Sequence, residues 1–254
     1  MTMLRAVDYN ARLHRGYDQG RGLSEAALAS WSVAVARRLP PPRPLTIVEL
    51  GSGTGRFTEM LAGIDGGAVY AIEPSRRMRE IAAQHPHADV HHLAGRAEAI
   101  PLATSSCDAV VMFFVIHHVA DLHGAAREVA RVLRPGGRLL IAGSFSDHLH
   151  RRAYYRYMPR AREIEEQLFP TLVGTREAFD LAGMTPLGVD EVGHKVSDSL
   201  AAYSARLAHR AISTFEHLEE DEVDQGLAQL AAEAAAESKP HPVHHTHDLL
   251  TLAR

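Results

Sequence analysis

Gly51, Gly53 and Gly55 stand at alternate positions directly after the apolar run Leu45-Thr46-Ile47-Val48-Glu49-Leu50. One acid, Glu49, precedes the first glycine by two residues, and a second, Glu73, closes the next apolar run, Ala68 to Glu73. Glycines at that spacing let the backbone turn sharply and let a ligand lie against it without meeting a Cβ. An acid about twenty residues later, at the tip of a second strand, suits the two hydroxyls of a ribose. The pattern predicts a site for a nucleoside-containing cofactor.

The sign of Glu49 decides which one. A dinucleotide loop reads G-x-G-x-x-G, whereas this loop reads G-x-G-x-G and continues with Arg56. Phosphates beside a carboxylate in a partly desolvated site repel it. A cofactor with an ammonium and a sulfonium and no phosphate reverses that sign, and S-adenosylmethionine is such a molecule. Glu49 and the loop Gly51, Ser52, Gly53, Thr54 and Gly55 would hold its amino acid end, with Glu73 and Pro74 at its ribose. Met112 and Phe113, at the end of a later strand, are expected to line the methyl-donor pocket, with simple packing as the equal competitor.

These residues resemble the class I S-adenosylmethionine-dependent methyltransferases, in particular the small-molecule group that includes the ubiquinone and menaquinone methylases. Gly95-Arg96-Ala97-Glu98-Ala99-Ile100-Pro101-Leu102, followed by Cys107-Asp108-Ala109-Val110-Val111, is similar to that family's adenine-binding turn and fourth strand. Val115-Ile116-His117-His118-Val119 and Arg131-Val132-Leu133-Arg134-Pro135-Gly136-Gly137-Arg138-Leu139 are similar to its later landmarks. Several ordered matches over roughly a hundred residues are far more specific than one glycine loop. The resemblance implies cofactor contacts at Arg96, Ala97 and Glu98. It also carries a departure, because the family usually has an acid where Arg96 stands. Adenine would then be held by backbone near Ala97 and by apolar packing.

On the acceptor side, His117 and His118 follow the fourth strand, whose carboxyl end borders the ligand crevice of such a sheet. Either could act as a base or orient a substrate; the competing reading is that they shape the turn. Tyr203, Arg206 and Arg210 share one helix face at i, i+3 and i+7, so the arginines could hold an acidic group, with Tyr17 as a further substrate contact. Pairing with the acidic run Glu216 to Asp224 competes with that role. The segment Arg151 to Arg162 interleaves arginine with tyrosine, which fits a substrate lid or a solvated face better than a nucleic-acid contact. His241, His244, His245 and His247 lack a cysteine or carboxylate at ligand spacing, so no metal is expected there. Methyl transfer from a sulfonium is an in-line displacement on an activated carbon, so no dedicated catalytic motif is required.

The elements that must position these groups alternate. Ser24 caps a helix whose Leu28, Trp31, Val35 and Leu39 recur every three to four residues, and Pro40-Pro41-Pro42 ends it. Strands and helices then alternate from Leu45 to Gly143. This predicts an α/β fold, a doubly wound, seven-stranded, mostly parallel sheet of Rossmann-like type, with helical insertions forming a substrate lid. One domain is expected over 1–254: an N-terminal helical cap (1–44), a cofactor core (45–145), lid and insertions (146–247), and a closing edge strand (248–254). Within the lid, helices are expected over Asp147–Gln167 with a break near Pro159, from a Thr175 cap to Gly183, over Ser199–Leu218 and over Asp221–Glu237, with an extended segment from Pro186 to Val196.

A formal net charge of −4 supplies no global basic field for nucleic acid. One cysteine, Cys107, allows no internal disulfide and fits a reducing cytoplasm. The longest uncharged apolar run, Ala109 to Ile116, is too short to span a bilayer, so no membrane partner is expected and a homodimer is left open. Two further readings stay open: an RNA methyltransferase, and a protein that binds S-adenosylmethionine for non-methylating chemistry.

Overall fold

The computed structural model describes residues 24–254 apart from residue 66. Helix α1 (Glu25–Arg38) begins as its cap predicts, the Ser24 hydroxyl accepting from the Ala27 N–H at 3.2 Å. It is followed by β1 (Ile47–Leu50), α2 (Thr58–Asp65), β2 (Val69–Glu73), α3 (Arg76–Ala82), β3 (Val90–Ala94), β4 (Cys107–Phe113), α4 (Leu122–Val132) and β5 (Leu133–Gly143). All four residues of β1 are buried, and β4 is buried at six of its seven positions. That is what a strand covered on both faces requires.

The sheet has seven strands in the order β3-β2-β1-β4-β5-β7-β6, where β6 is Thr185–Ser197 and β7 is Val243–Ala253. The pairs from β3 to β5 are parallel, and β7 runs antiparallel to both neighbours. Chain direction across the sheet reverses between β1 and β4, so their carboxyl ends flank the crevice where such a sheet takes a ligand. Alternating strand residues feed two cores. Leu50, Ile72, Met112 and Ile141 pack with Val129 of α4, while Ile47, Val111 and Leu140 pack with Trp31, Val35 and Leu61 from α1 and α2.

A third cluster stands apart from the sheet. Tyr154, Tyr157, Met158 and Ala161 pack on Tyr203 and Leu207 of α7 (Leu200–Leu207), Phe215, and Val223 and Leu230 of α8 (Glu220–Ala235). The stretch between β6 and β7 that carries α7 and α8 leaves and rejoins the sheet at one place, where Ser197 pairs with Val243.

Several expected boundaries are corrected. The closing strand starts at Val243, not Asp248, and lies inside the sheet; β6 is the edge. His244, His245 and His247, placed in the lid ahead of the closing strand, are held in register against β6, with His245 opposite His194 and His247 opposite Val192. Thr171, not Thr175, caps α6 (Leu172–Asp180), and Thr175 is fully buried within it. The helix expected over Asp147–Gln167 breaks at Pro159 as expected, with α5 (Arg160–Leu168) after it, but ahead of the break there is only a short 3-10 turn (Ala153–Arg156). That expected over Ser199–Leu218 ends at Leu207, and a 3-10 turn (Ser213–His217) follows.

Candidate cofactor and acceptor site

Gly51, Gly53 and Gly55 all adopt left-handed φ, 72°, 57° and 87°, where an L side chain is strained. At Gly51 space forbids one as well, since a Cβ would come within 2.3 Å of the Val115 side chain. The N–H groups of Gly51 and Ser52 both donate to the Ile72 carbonyl, which ties the loop to β2.

Glu73 is buried at the tip of β2. Its carboxylate accepts from the Gly53 N–H at 3.0 Å and the Ser75 N–H at 2.8 Å. Burial pushes its pKa up, against the pull of those two donors and of Arg79. The Arg79 guanidinium donates to the carbonyls of Glu73 and Pro74, fixing the strand end. Glu49 is 1% exposed, and its carboxylate accepts from the Thr58 hydroxyl. Burial pushes it up to about 8, outweighing that hydrogen bond and the charge of Arg56. A carboxyl kept neutral in the free chain is a partner that an ammonium group would ionise. Glycines without Cβ, a buried acid for an amine and a second acid for hydroxyls fit S-adenosylmethionine at this site.

The turn from Gly95 to Leu102 carries the residues expected at the adenine. Arg96 is exposed and Ala97 packs on the core. Glu98 is engaged elsewhere: its carboxylate accepts from the N–H groups of Ala120 and Asp121, anchoring the chain after His118. Met112 lies wholly within one core layer, and Phe113 stacks on Phe57 at 3.9 Å. Packing therefore wins at both side chains. Cys107 is also packing, its thiol buried against the Val132 carbonyl and pushed up to about 12 by burial.

From Arg56 at the glycine loop a cleft extends past the carboxyl ends of β4 and β5, with about 910 Å³ of non-protein space, part of it open to solvent. His117 lines it from the 3-10 turn Ile116–His118, and the His118 ring lies 3.9 Å from that of His117. Tyr203 and Arg206 enter from α7, and His194, His245 and His247 from β6 and β7. Burial, reinforced by the charge of Arg152, lowers all three of these imidazoles, His194 to about 4. They are neutral hydrogen-bonding groups at physiological pH.

Arg152 is the cleft residue that the sequence did not single out. It is 4% exposed, and its guanidinium donates to the Thr246 carbonyl and the Ser144 hydroxyl, both at 2.6 Å. Among the described residues no carboxylate stands within ion-pair distance of it. Glu165, also in the cleft wall, accepts instead from the hydroxyls of Tyr154, Tyr155 and Thr214. The arginine–tyrosine pattern was the available signal, but it does not say which arginine turns inward.

Arg210 is corrected. It pairs with Glu220 and Asp224, and borders a separate hollow. Arg156, Arg160 and Arg162 likewise pair with Glu233, Glu222 and Glu166. Tyr17 falls outside the described residues. No helix among those described is long and apolar enough to cross a membrane.

Residues 48–141, from β1 to β5, match the methyltransferase-domain family. A ubiquinone/menaquinone biosynthesis C-methyltransferase from Rubrivivax gelatinosus is 36% identical over 110 residues, covering 43% of each chain. A demethylmenaquinone methyltransferase from Tropheryma whipplei is 32% identical over 163 residues, 60% of this chain and 66% of that one. The chain thus matches less than half the length of the first of these relatives. Among solved structures, one from Anabaena variabilis assigned to a methyltransferase of an antibiotic biosynthesis pathway has a TM-score of 0.70 at 24% identity, covering 90% of this chain and 99% of that one, a likeness of fold. The matched segment carries the glycine loop, Glu49 and Glu73, and over it the chain resembles the class I S-adenosylmethionine-dependent methyltransferases, among them the ubiquinone and menaquinone methylases.

Proposed function

We propose that the chain transfers the methyl group of S-adenosylmethionine to a small-molecule acceptor held in the cleft beside the glycine loop. The observation that carries this reading is the continuity of the two: Arg56 follows Gly55 directly and lines the cleft. The bound sulfonium would supply an activated methyl group, and the protein's part is then orientation and exclusion of water. The third apolar cluster roofs the cleft for that purpose. Arg152 and Arg206 place two guanidinium groups in its wall, which favours an acceptor carrying an acidic group. His117 is positioned to take a proton from a hydroxyl or amine acceptor; a carbon acceptor that is already nucleophilic needs no base.

The test is a panel of acidic and neutral aromatic acceptors with labelled cofactor, reading S-adenosylhomocysteine and labelled product. Acceptor-dependent release supports methyl transfer. Tight cofactor binding with no release for any acceptor favours non-methylating chemistry. An RNA acceptor has less support, because Arg156, Arg160 and Arg162 of the basic segment pair with carboxylates and Tyr154 and Tyr157 are packed in the third cluster.

A further inference from the structure

Behind the cleft wall, on the stretch joining β5 to the Ala153–Arg156 turn, His148 and His150 both face Asp248 of β7. His148 Nδ1 lies 3.0 Å from Asp248 Oδ2, and His150 Nε2 lies 2.8 Å from Asp248 Oδ1. These atoms all fall within 4.8 Å of one another. We propose that His148, His150 and Asp248 form a site for a divalent transition-metal ion of the zinc type.

Three observations converge. The first is spacing: ligands about 2.1 Å from one tetrahedral ion stand about 3.4 Å apart, and the two nitrogen–oxygen separations, 3.0 and 2.8 Å, need only a small opening to admit it. The second is chain geometry. His148 and His150, two residues apart on one connecting stretch, both turn their imidazoles to the carboxylate oxygens of Asp248. The third is charge. Asp248 has no solvent exposure, and its partners among the described residues are these two imidazoles, with no arginine or lysine in ion-pair range. A buried carboxylate needs a compensating charge, and an ion between it and the imidazoles supplies one. Glu191, the register partner of Asp248 on β6, stands on the same sheet face and adds to the negative field.

Two imidazoles and one carboxylate select zinc, cobalt or nickel over magnesium or calcium, which prefer all-oxygen sets. His148 is half exposed, so the ion can enter and open coordination positions face water. Its place gives it a task. Arg152 follows His150 by two residues and donates to the carbonyl of Thr246, two residues before Asp248. An ion here would pin together the two segments that set Arg152 in the cleft. This assignment does not depend on the proposed methyl transfer.

The experiment is calorimetric titration of untagged, chelator-stripped full-length chain with Zn²⁺, with Co²⁺ visible absorption as a second readout. One equivalent of Zn²⁺ is expected, with affinity reduced ~100-fold or more in His150→Ala and in His148→Ala. Retained S-adenosylhomocysteine binding identifies the variants as folded. The His241→Ala/His244→Ala double variant should bind Zn²⁺ as wild type does. Wild type that takes up no Zn²⁺, or His148 and His150 variants that bind it undiminished, overturns the proposal; so does loss of binding only in the 241/244 variant.

Discussion

The Gly53 N–H donates to the Glu73 carboxylate at 3.0 Å, so the glycine loop and the acid at the tip of β2 are tied to each other. Glu73→Ala removes this anchor together with the acceptor proposed for the ribose. Binding of S-adenosylhomocysteine, followed by calorimetry, should weaken by about 1.5–3 kcal/mol, the scale of hydrogen bonds to a charged group. Glu73→Gln keeps one acceptor and should lose less. Wild-type affinity in both variants would remove Glu73 from the cofactor site.

Glu49 links binding to pH. Its folded pKa, about 8, is raised above the ordinary carboxyl value by burial. Its contribution to stability is therefore fully present below the ordinary value and lost as pH rises through 8. The melting temperature of ligand-free Glu49→Gln should consequently fall less than that of wild type between about pH 6 and 9. Cofactor binding at neutral pH should release close to ~1 proton as the carboxyl ionises against the ammonium, and the release should vanish at high pH. Heats of binding independent of buffer ionisation at neutral pH would contradict this.

Trp31 is wholly buried and meets Phe57, Phe113 and Phe114 edge-on. Helix α1 is thus part of the core. Trp31→Ala should cost about 3–5 kcal/mol in urea unfolding. Deleting residues through Leu39, which takes Trp31, Val35 and Leu39 out of the core, should abolish a cooperative melt in calorimetry.

Arg206 and Arg210 should separate. Arg206→Ala is expected to raise KM for an acidic acceptor ~10-fold or more with kcat little changed, the mark of uniform binding. Arg210→Ala, held by Glu220 and Asp224 outside the cleft, should leave both constants unchanged. The opposite pattern in steady-state kinetics would place the wrong arginine in the wall.

Features set by local chemistry were legible in the sequence. The glycine loop, the Ser24 cap and the β1-to-β5 alternation each depend on neighbours within a few residues. Features decided by distant partners were not. Nothing near Val243 says that its strand will be clamped between β5 and β6, and histidine alone is a weak strand signal. The Tyr203-Arg206-Arg210 face required a continuous helix, but α7 stops at Leu207 and Arg210 adopts a left-handed φ of 49°. Arg152 and Asp248 acquire meaning only when residues about a hundred positions apart meet.

Because Ser197 and Val243 are paired neighbours, the α7–α8 stretch is an excursion whose two ends meet. Such a cassette can be exchanged for another without altering the strands that carry the glycine loop, so acceptor choice can diversify while cofactor recognition stays fixed. One contact limits the trade. At Gly226 of α8 a Cβ would come within 2.6 Å of Met158 and 2.8 Å of the Tyr157 carbonyl. Any transplanted cassette must present a glycine, or a gap, at that point.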